Sequence, residues 1–349
     1  MFDIISFDLC IFEPFGFGVL KMRSMIIALF GLSTIIMGCS GNIMGIEKTK
    51  NFQQQIPYRQ EKKLVIINVN GGIKVNAKER SEFSTVTAMV KASGLTAKEA
   101  QDYLDKIEIR FDREGDEIHV ETIYPKAWTM PGKARKPKAW NVDFTILVPD
   151  KLDVRCTNTN GDIEIYGSNA NAVLQTTNGN VKVKDNTGEV DAVTVNGNTE
   201  IRNSQDYRIT VRAATRNGNH VVDMPNAKQG NFAVSTTNGN IEMNLPSGTD
   251  PRIDIKTVNG NIKVFLGERL SSQVDCSTTN GEVKTNMVIN TSTSVGGILQ
   301  SKVIKGVVGG GFGNVKAVTT NGNITLDYGQ APIEKTPETP VTSQEQTQT

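Results

Sequence analysis

Nine Asn-Gly pairs punctuate the chain, ending at Gly71, Gly161, Gly179, Gly197, Gly218, Gly239, Gly260, Gly281 and Gly322. From Gly161 to Gly281 they recur at steps of 18, 18, 21, 21, 21 and 21 residues. Self-similarity at such a period signals a stacked-repeat architecture. Aligned on the Gly, all nine copies are apolar seven residues before it (Leu64, Val154, Ala172, Val190, Val211, Phe232, Ile253, Val274, Val315). All nine are also apolar five before it (Ile66, Cys156, Leu174, Ala192, Ala213, Val234, Ile255, Cys276, Ala317). Three before it stands Thr in seven copies (Thr176, Thr194, Thr215, Thr236, Thr257, Thr278, Thr319) and Asn68 or Asn158 in the others.

These slots share the parity of one strand face, because side chains alternate with period two. Apolar slots two and four after the Gly share a face of the next strand. The odd count between the two sets requires a corner at Asn-Gly, where either residue can adopt positive φ at little cost. Serial hairpins also use Asn-Gly turns. They do not require the same side chain at the same slot in every copy, whereas stacked rungs about 4.8 Å apart favour it. The expected fold is therefore all-β: a β-solenoid, parallel β-helix-like, with rungs of 18–21 residues. Its number of sides and handedness stay open.

In such a stack Asn160, Asn178, Asn196, Asn217, Asn238, Asn259, Asn280 and Asn321 form a structural ladder, together with the seven Thr. Cys156 and Cys276 share an inward slot six copies apart, roughly 29 Å at the strand spacing. That is far beyond the reach of about 7 Å between Cα atoms in a disulfide, so both read as buried small hydrophobes. The 41-residue step from Gly281 to Gly322 is close to two rungs, one lacking its Asn-Gly mark.

The N-terminus carries a different signal. Lys21 and Arg23 precede an apolar run at 25–37, then Gly38-Cys39-Ser40. A basic start, a short apolar run and a small residue before the cut describe a secretory signal peptide. The run is shorter than the ~20 residues of a membrane-spanning helix. Ile36-Met37-Gly38-Cys39 resembles a bacterial lipobox, which makes Cys39 the expected lipidation site and an uncleaved anchor the alternative. Residues 1–20 fit no part of such a signal, so Met22 or Met25 is the better initiator and 1–21 would precede the true start. The expected organisation is a signal at 22–38 and a lipidated Cys with a polar tether at 39–60. A first rung with a cap insert follows at 61–150, then solenoid repeats at 151–328. The tail at 329–349, rich in Thr, Pro, Glu and Gln, reads as disordered.

Gly71 and Gly161 lie 90 residues apart, which leaves room for an insert between the first two copies. Residues 83–90 alternate like a strand, and Thr96-Ala97-Lys98-Glu99 is a capping box opening a short helix. Residues 107–111 and 117–123 read as a hairpin split at Asp112-Arg113-Glu114-Gly115, and 142–148 as another strand. Solenoid ends need covering, and this small antiparallel strand–helix unit is the expected N-terminal cap.

The signal, the insert and the rungs together resemble the bacterial putative-adhesin, β-strand-repeat domain family of unknown function. Val142-Asp143-Phe144-Thr145-Ile146-Leu147-Val148-Pro149 looks like its strand before the first rung. Thr319-Thr320-Asn321-Gly322-Asn323-Ile324 looks like its closing repeat. The resemblance spans 61–328 and implies a fold and an exported location, but no catalytic residues.

Charge is balanced, 38 Lys+Arg against 37 Asp+Glu, so no net field draws the chain to nucleic acid. Only two histidines are present, which leaves little room for His-based catalysis. Neither a cofactor nor a metal site is expected. A polysaccharide-active β-helix enzyme, lyase or hydrolase, is the alternative function; it needs clustered carboxylates on neighbouring rungs. Three residues after the Gly the outward row runs Glu164, Lys182, Glu200, Val221, Glu242, Lys263, Lys284, with no two acids adjacent. The first three should pair as solvated salt bridges. The Thr row two before the Gly is broken by Val195, Arg216 and Val258, which argues against ice binding, and His220 reads as a satisfied core residue. Gly309-Gly310-Gly311 reads as a flexible turn.

The best candidate contact loop holds Lys126, Trp128, Lys133, Arg135, Lys136, Lys138 and Trp140, with no acid and both tryptophans of the chain. It could meet anionic lipid or an envelope polysaccharide, although a solvated loop whose tryptophans pack on the cap is favoured. The expected function is a non-enzymatic cell-envelope lipoprotein displaying a rigid solenoid for adhesion, sensing or scaffolding. Its expected partners are the membrane, through the N-terminal lipid, and an anionic envelope polymer, lipid or another envelope protein.

Overall fold

The computed structural model describes residues 45–57, 61–78, 81–125, 139–206, 208–290 and 299–329. The chain opens with β1 (Ile46–Pro57), β2 (Lys63–Ile67), β3 (Ile73–Lys78) and β4 (Phe83–Gly94). Helix α1 (Ala97–Leu104), β5 (Glu108–Glu114), β6 (Glu117–Ile123) and β7 (Ala139–Pro149) follow. The repeats then supply β8 (Asp153–Asn160), β9 (Ile163–Tyr166), β10 (Ala172–Asn178), β11 (Val181–Lys184), β12 (Val190–Asn196) and β13 (Thr199–Arg202). They continue as β14 (Ile209–Asn217), β15 (His220–Asp223), β16 (Gly230–Asn238), β17 (Ile241–Leu245), β18 (Arg252–Asn259) and β19 (Ile262–Leu266). The chain closes with β20 (Ser272–Asn280), β21 (Val283–Thr285), β22 (Leu299–Ser301), β23 (Val303–Val308), β24 (Gly313–Asn321) and β25 (Ile324–Tyr328).

The strands make two long sheets, of 13 and 12 strands, and each rung places one strand in each. The corner falls at Asn-Gly: β8 ends at Asn160 and β9 starts at Ile163, and the other repeats follow suit. Every residue seven and five before the Gly is buried, as is every residue two and four after it. Copies pair in parallel with equal slots opposite, for example Ala172↔Val190 and Leu174↔Ala192. The apolar slots of both sheets thereby fuse into one core running down the stack.

The spatial order of the rungs departs from the chain order at both ends. β2 lies between β6 and β8, and β3 between β7 and β9. At the far end β24 lies between β18 and β20, and β25 between β19 and β21. The first and last Asn-Gly rungs are thus both slotted beneath a neighbour. Cys156 and Cys276 consequently stand seven steps apart rather than six, roughly 34 Å at the strand spacing; both are free and buried.

The unmarked rung expected between Gly281 and Gly322 is present as β22 and β23, but it runs antiparallel to β21 and β20. The N-terminal insert works similarly. β6 and β7 add a parallel rung without Asn-Gly, and β4, β1 and β5 finish the edges antiparallel. Both ends therefore close on reversed strands, which blunts the unpaired edges of a parallel stack.

Two local expectations need correction. The segment expected as a polar tether holds β1 over Ile46–Pro57, paired residue for residue with β4 from Ile46↔Gly94 to Pro57↔Phe83. Its side chains are polar because most point away from the core, and the backbone ladder carries the pairing. The hairpin turn shrinks to Gly115 and Asp116, since β5 continues through Glu114. The helix cap holds in modified form: Thr96 Oγ1 accepts from the Glu99 N–H at 3.1 Å, while the Glu99 carboxylate reaches back to the Leu95 N–H at 2.8 Å. Among the described residues no helix is long and apolar enough to cross a membrane.

Candidate functional site

The corners form three hydrogen-bonded ladders along one edge of the stack. In the first, the Asn before each Gly donates through Nδ2 to Oδ1 of the equivalent Asn one rung back. The chain runs Asn280, Asn321, Asn259, Asn238, Asn217, Asn196, Asn178, Asn160 and Asn70, with spacings of 2.7–2.9 Å. It follows spatial order, passing from Asn259 through Asn321 to Asn280.

The second ladder uses the residue after the Gly in seven of the nine copies. Its side-chain oxygen accepts from the backbone N–H of the next rung, as Asn180 Oδ1 does from Asn198 at 2.9 Å and Asn219 Oδ1 from Asn240 at 2.7 Å.

The third corrects the expected Thr ladder. Thr176, Thr194, Thr215, Thr236, Thr257, Thr278 and Thr319 each donate to the carbonyl of the neighbouring rung's corner Gly at 2.8–3.1 Å, not to one another. These hydroxyls are buried, so each needs a partner, and the corner carbonyl is the acceptor in reach.

Six of the nine corner glycines (Gly71, Gly161, Gly239, Gly260, Gly281 and Gly322) take positive φ, as expected, but Gly179, Gly197 and Gly218 do not. A Cβ on them would instead lie 1.9–2.1 Å from the Gly carbonyl oxygen one rung back. Close approach of stacked backbones excludes a side chain at the corner.

The outward faces carry charge. Lys182 pairs with Glu200 at 3.1 Å, as its row predicts, whereas Glu164 turns to Lys74 at 3.9 Å and to the Tyr166 hydroxyl at 2.8 Å. Arg202 bridges Glu200 at 2.6 Å and Asp223 at 2.9 Å. Burial pulls the Glu200 pKa up, but hydrogen bonds from Arg202 and Lys182 together outweigh it and leave the carboxyl below its ordinary value. This network was legible in principle, since Arg202 and Asp223 share the slot five after the Gly.

On the outer face of the 12-stranded sheet lies a depression of about 440 Å³. Its walls include Glu189, Thr210, Arg212, Asn231, Arg252, Asp254 and Asn314, and Ala233 forms its floor. Arg212 reaches Glu189 only at 3.8 Å, and Asp254 is engaged by Lys256 at 2.9 Å. Glu189 and Asp254 belong to rungs three steps apart, roughly 14 Å. Carboxylate pairs that cleave glycosidic bonds stand about 5–9.5 Å apart.

Of the candidate contact loop, Lys126, Trp128, Lys133, Arg135, Lys136 and Lys138 lie outside the described residues, as do Cys39 and the tail from residue 330 on. Trp140 is described. It is half-buried at the start of β7, 6.3 Å from the Tyr124 ring, with its indole N–H 2.7 Å from the Asn70 terminal amide. It thus meets the last Asn of the first ladder.

His220 is buried in a slot that elsewhere holds mostly Ile or Val. It contacts Thr199 Oγ1 through Nδ1, and its Nε2 lies 2.8 Å from the Ser235 carbonyl. Burial lowers its pKa to about 4, against the opposing pull of Ser235. Burial likewise pushes the Cys276 thiol up to about 12 and that of Cys156 higher still. Among the described residues no group of three or more His, Cys, Asp or Glu could hold a metal ion.

Parallel rungs, Asn ladders and reversed end strands define a two-sheet β-solenoid of toastrack type. The chain belongs to the Toastrack DUF4097 family, whose model matches residues 24–327. Its function as a family is unknown. A putative adhesin from Bacteroides fragilis is 11% identical, with a TM-score of 0.43, 80% of this chain and 97% of that one being covered. A putative cell adhesion protein from Clostridium sporogenes is 11% identical, with a TM-score of 0.30 and coverage of 80% and 100%. A putative lipid binding protein from Parabacteroides distasonis is 9% identical, with a TM-score of 0.29 and coverage of 79% and 96%. A search of curated proteins finds no match.

Proposed function

We propose that the chain is a non-enzymatic cell-envelope lipoprotein, anchored through lipid on Cys39, that presents its rigid solenoid for adhesion or scaffolding. One observation carries this reading: the Asn side chains of the corners and a group of the outward charges are used on one another. The Asn ladder engages nine residues in a single chain of hydrogen bonds, and Lys182, Glu200, Arg202 and Asp223 close a second network. A surface whose polar groups are already satisfied is stiff and presents a fixed shape. The only carboxylates lining the depression are too far apart for paired acid–base work on a sugar bond.

The signal-like segment before Cys39 supports export, and a lipid there would anchor rather than span. The expected partners are the membrane and an anionic envelope polymer. Expression of the full chain and of Cys39→Ser in a bacterial host, followed by fractionation, tests the anchor. The unaltered chain should sediment with membranes and the variant should be released. Turnover of a panel of anionic polysaccharides by the purified chain would sink the non-enzymatic reading in favour of the polysaccharide-active alternative.

A further inference from the structure

The depression on the outer face of the 12-stranded sheet interrupts an otherwise even row. Six residues before the Gly, successive rungs present Asp191, Arg212, Ala233 and Asp254 on the outer surface. Ala233 ends at a methyl group, so the sheet sinks there between longer neighbours. Eight before the Gly, the same rungs present Glu189, Thr210, Asn231 and Arg252 along one rim.

Ala233 itself lies between Arg212 and Asp254 in its row, and the two guanidinium-bearing residues, Arg212 on β14 and Arg252 on β18, stand two rungs and two residues along the strand apart, roughly 12 Å. Neither is strongly quenched. Arg252 has no side-chain hydrogen bond or ion pair among the described residues, and the Glu189 partner of Arg212 stands 3.8 Å away in solvent. Asp254, which lines the same depression, is engaged by Lys256 through Oδ2, while its Oδ1 is buried without a hydrogen-bond partner.

From this geometry we infer that the depression is a subsite for an acidic sugar polymer, one carrying carboxylate or sulfate groups about a disaccharide apart. This inference rests on the adhesive reading and names its ligand class. Arg forks suit planar oxyanions and bind them through two parallel N–H bonds. Between them, the Thr210 hydroxyl and the Asn231 amide offer the mixed donors and acceptors that sugar hydroxyls require. The Ala233 floor leaves room for a ring to approach the backbone. Single-stranded nucleic acid fits less well, because the depression has no exposed aromatic ring on which a base could stack.

Titration calorimetry of the full chain in mild detergent with hexagalacturonate tests the inference. Methyl-esterified hexagalacturonate and oligothymidylate serve as controls. Binding of the free acid is expected, at least tenfold weaker in the Arg212→Gln/Arg252→Gln double variant. It should weaken equally in Ala233→Gln, which fills the floor without altering charge. All these side chains point outward, and matched unfolding midpoints confirm that the variants fold. Absence of binding, equal binding of the ester, preference for oligothymidylate, or indifference to both variants would each overturn the subsite. Cleavage of the hexamer would defeat the non-enzymatic reading while leaving the subsite standing, and failure of the Cys39 anchor would not touch it.

Discussion

Replacing Gly197 by Ala separates two explanations for the corner glycines. The added Cβ would sit 1.9 Å from the Gly179 carbonyl oxygen, which is fixed backbone. Real Cβ atoms essentially never approach within 3.0 Å, so the rungs must part by at least 1.1 Å (3.0 minus 1.9). Several bonds cross that corner: Gly179 N–H to Asn196 O at 3.0 Å, Thr194 Oγ1 to Gly179 O at 2.9 Å, and Asn196 Nδ2 to Asn178 Oδ1 at 2.9 Å. Opening the gap weakens all three and leaves the buried Thr194 hydroxyl short of its acceptor. At about 1 kcal/mol for each of the other two bonds, plus about 1–3 kcal/mol for the unsatisfied Thr194 hydroxyl, the cost is about 3–5 kcal/mol.

Gly115 provides the opposite case. Its φ of +63° is left-handed, yet nothing lies within 4 Å of a Cβ built on it. Gly115→Ala should therefore cost only the left-handed penalty of about 1–2 kcal/mol. Urea unfolding of the full chain, followed by circular dichroism, compares the two midpoints. If Gly115→Ala proves as damaging as Gly197→Ala, backbone conformation governs the corners and the close-approach argument is wrong.

His220 makes stability pH-dependent. Its folded pKa of about 4 lies below the ordinary 6.5, so between these values the unfolded chain binds the extra proton. Stability is thus full above about pH 6.5 and declines as pH falls to about 4, by up to about 3 kcal/mol. His220→Ile should flatten that part of the curve in denaturant titrations, and an unchanged slope would refute the assignment. Truncation after Gly311 removes β24 and β25, which each contact a rung on both sides. The loss in melting temperature should exceed that of losing one terminal repeat, and limited proteolysis should then cut β20–β23 readily; unaltered protease resistance would count against the slotted order. In a Cys10→Ser/Cys39→Ser background, Cys156 and Cys276 should react with a thiol reagent only after unfolding, and labelling of the native chain would contradict their burial. Asn217→Ala, in the middle of the first ladder, should cost about 1 kcal/mol by the same unfolding measurement, and a neutral result would show that exposed amides exchange freely with water.

The Asn-Gly register alone determined which side chains face the core, because period-two alternation leaves one choice of face once the corner is fixed. All the apolar slots aligned on the Gly, from Leu64 to Leu326, are buried. It also identified Asn70 to Asn321 as a stack of equivalent corners and placed both repeat cysteines inside. What it could not decide was which rung lies next to which. Equal slots are interchangeable, so Val274 would pack as well on Ile253 as on Val315, and only the three-dimensional chain path slots β24 between β18 and β20. The direction of β22 and β23 was hidden for the same reason, since inward alternation is identical in parallel and antiparallel strands. β1 escaped notice because a strand held mainly by its backbone ladder needs no apolar signature. The depression over Ala233 likewise depends on neighbours brought together by stacking: a short side chain becomes a floor only when Arg212 and Asp254 stand on either side of it.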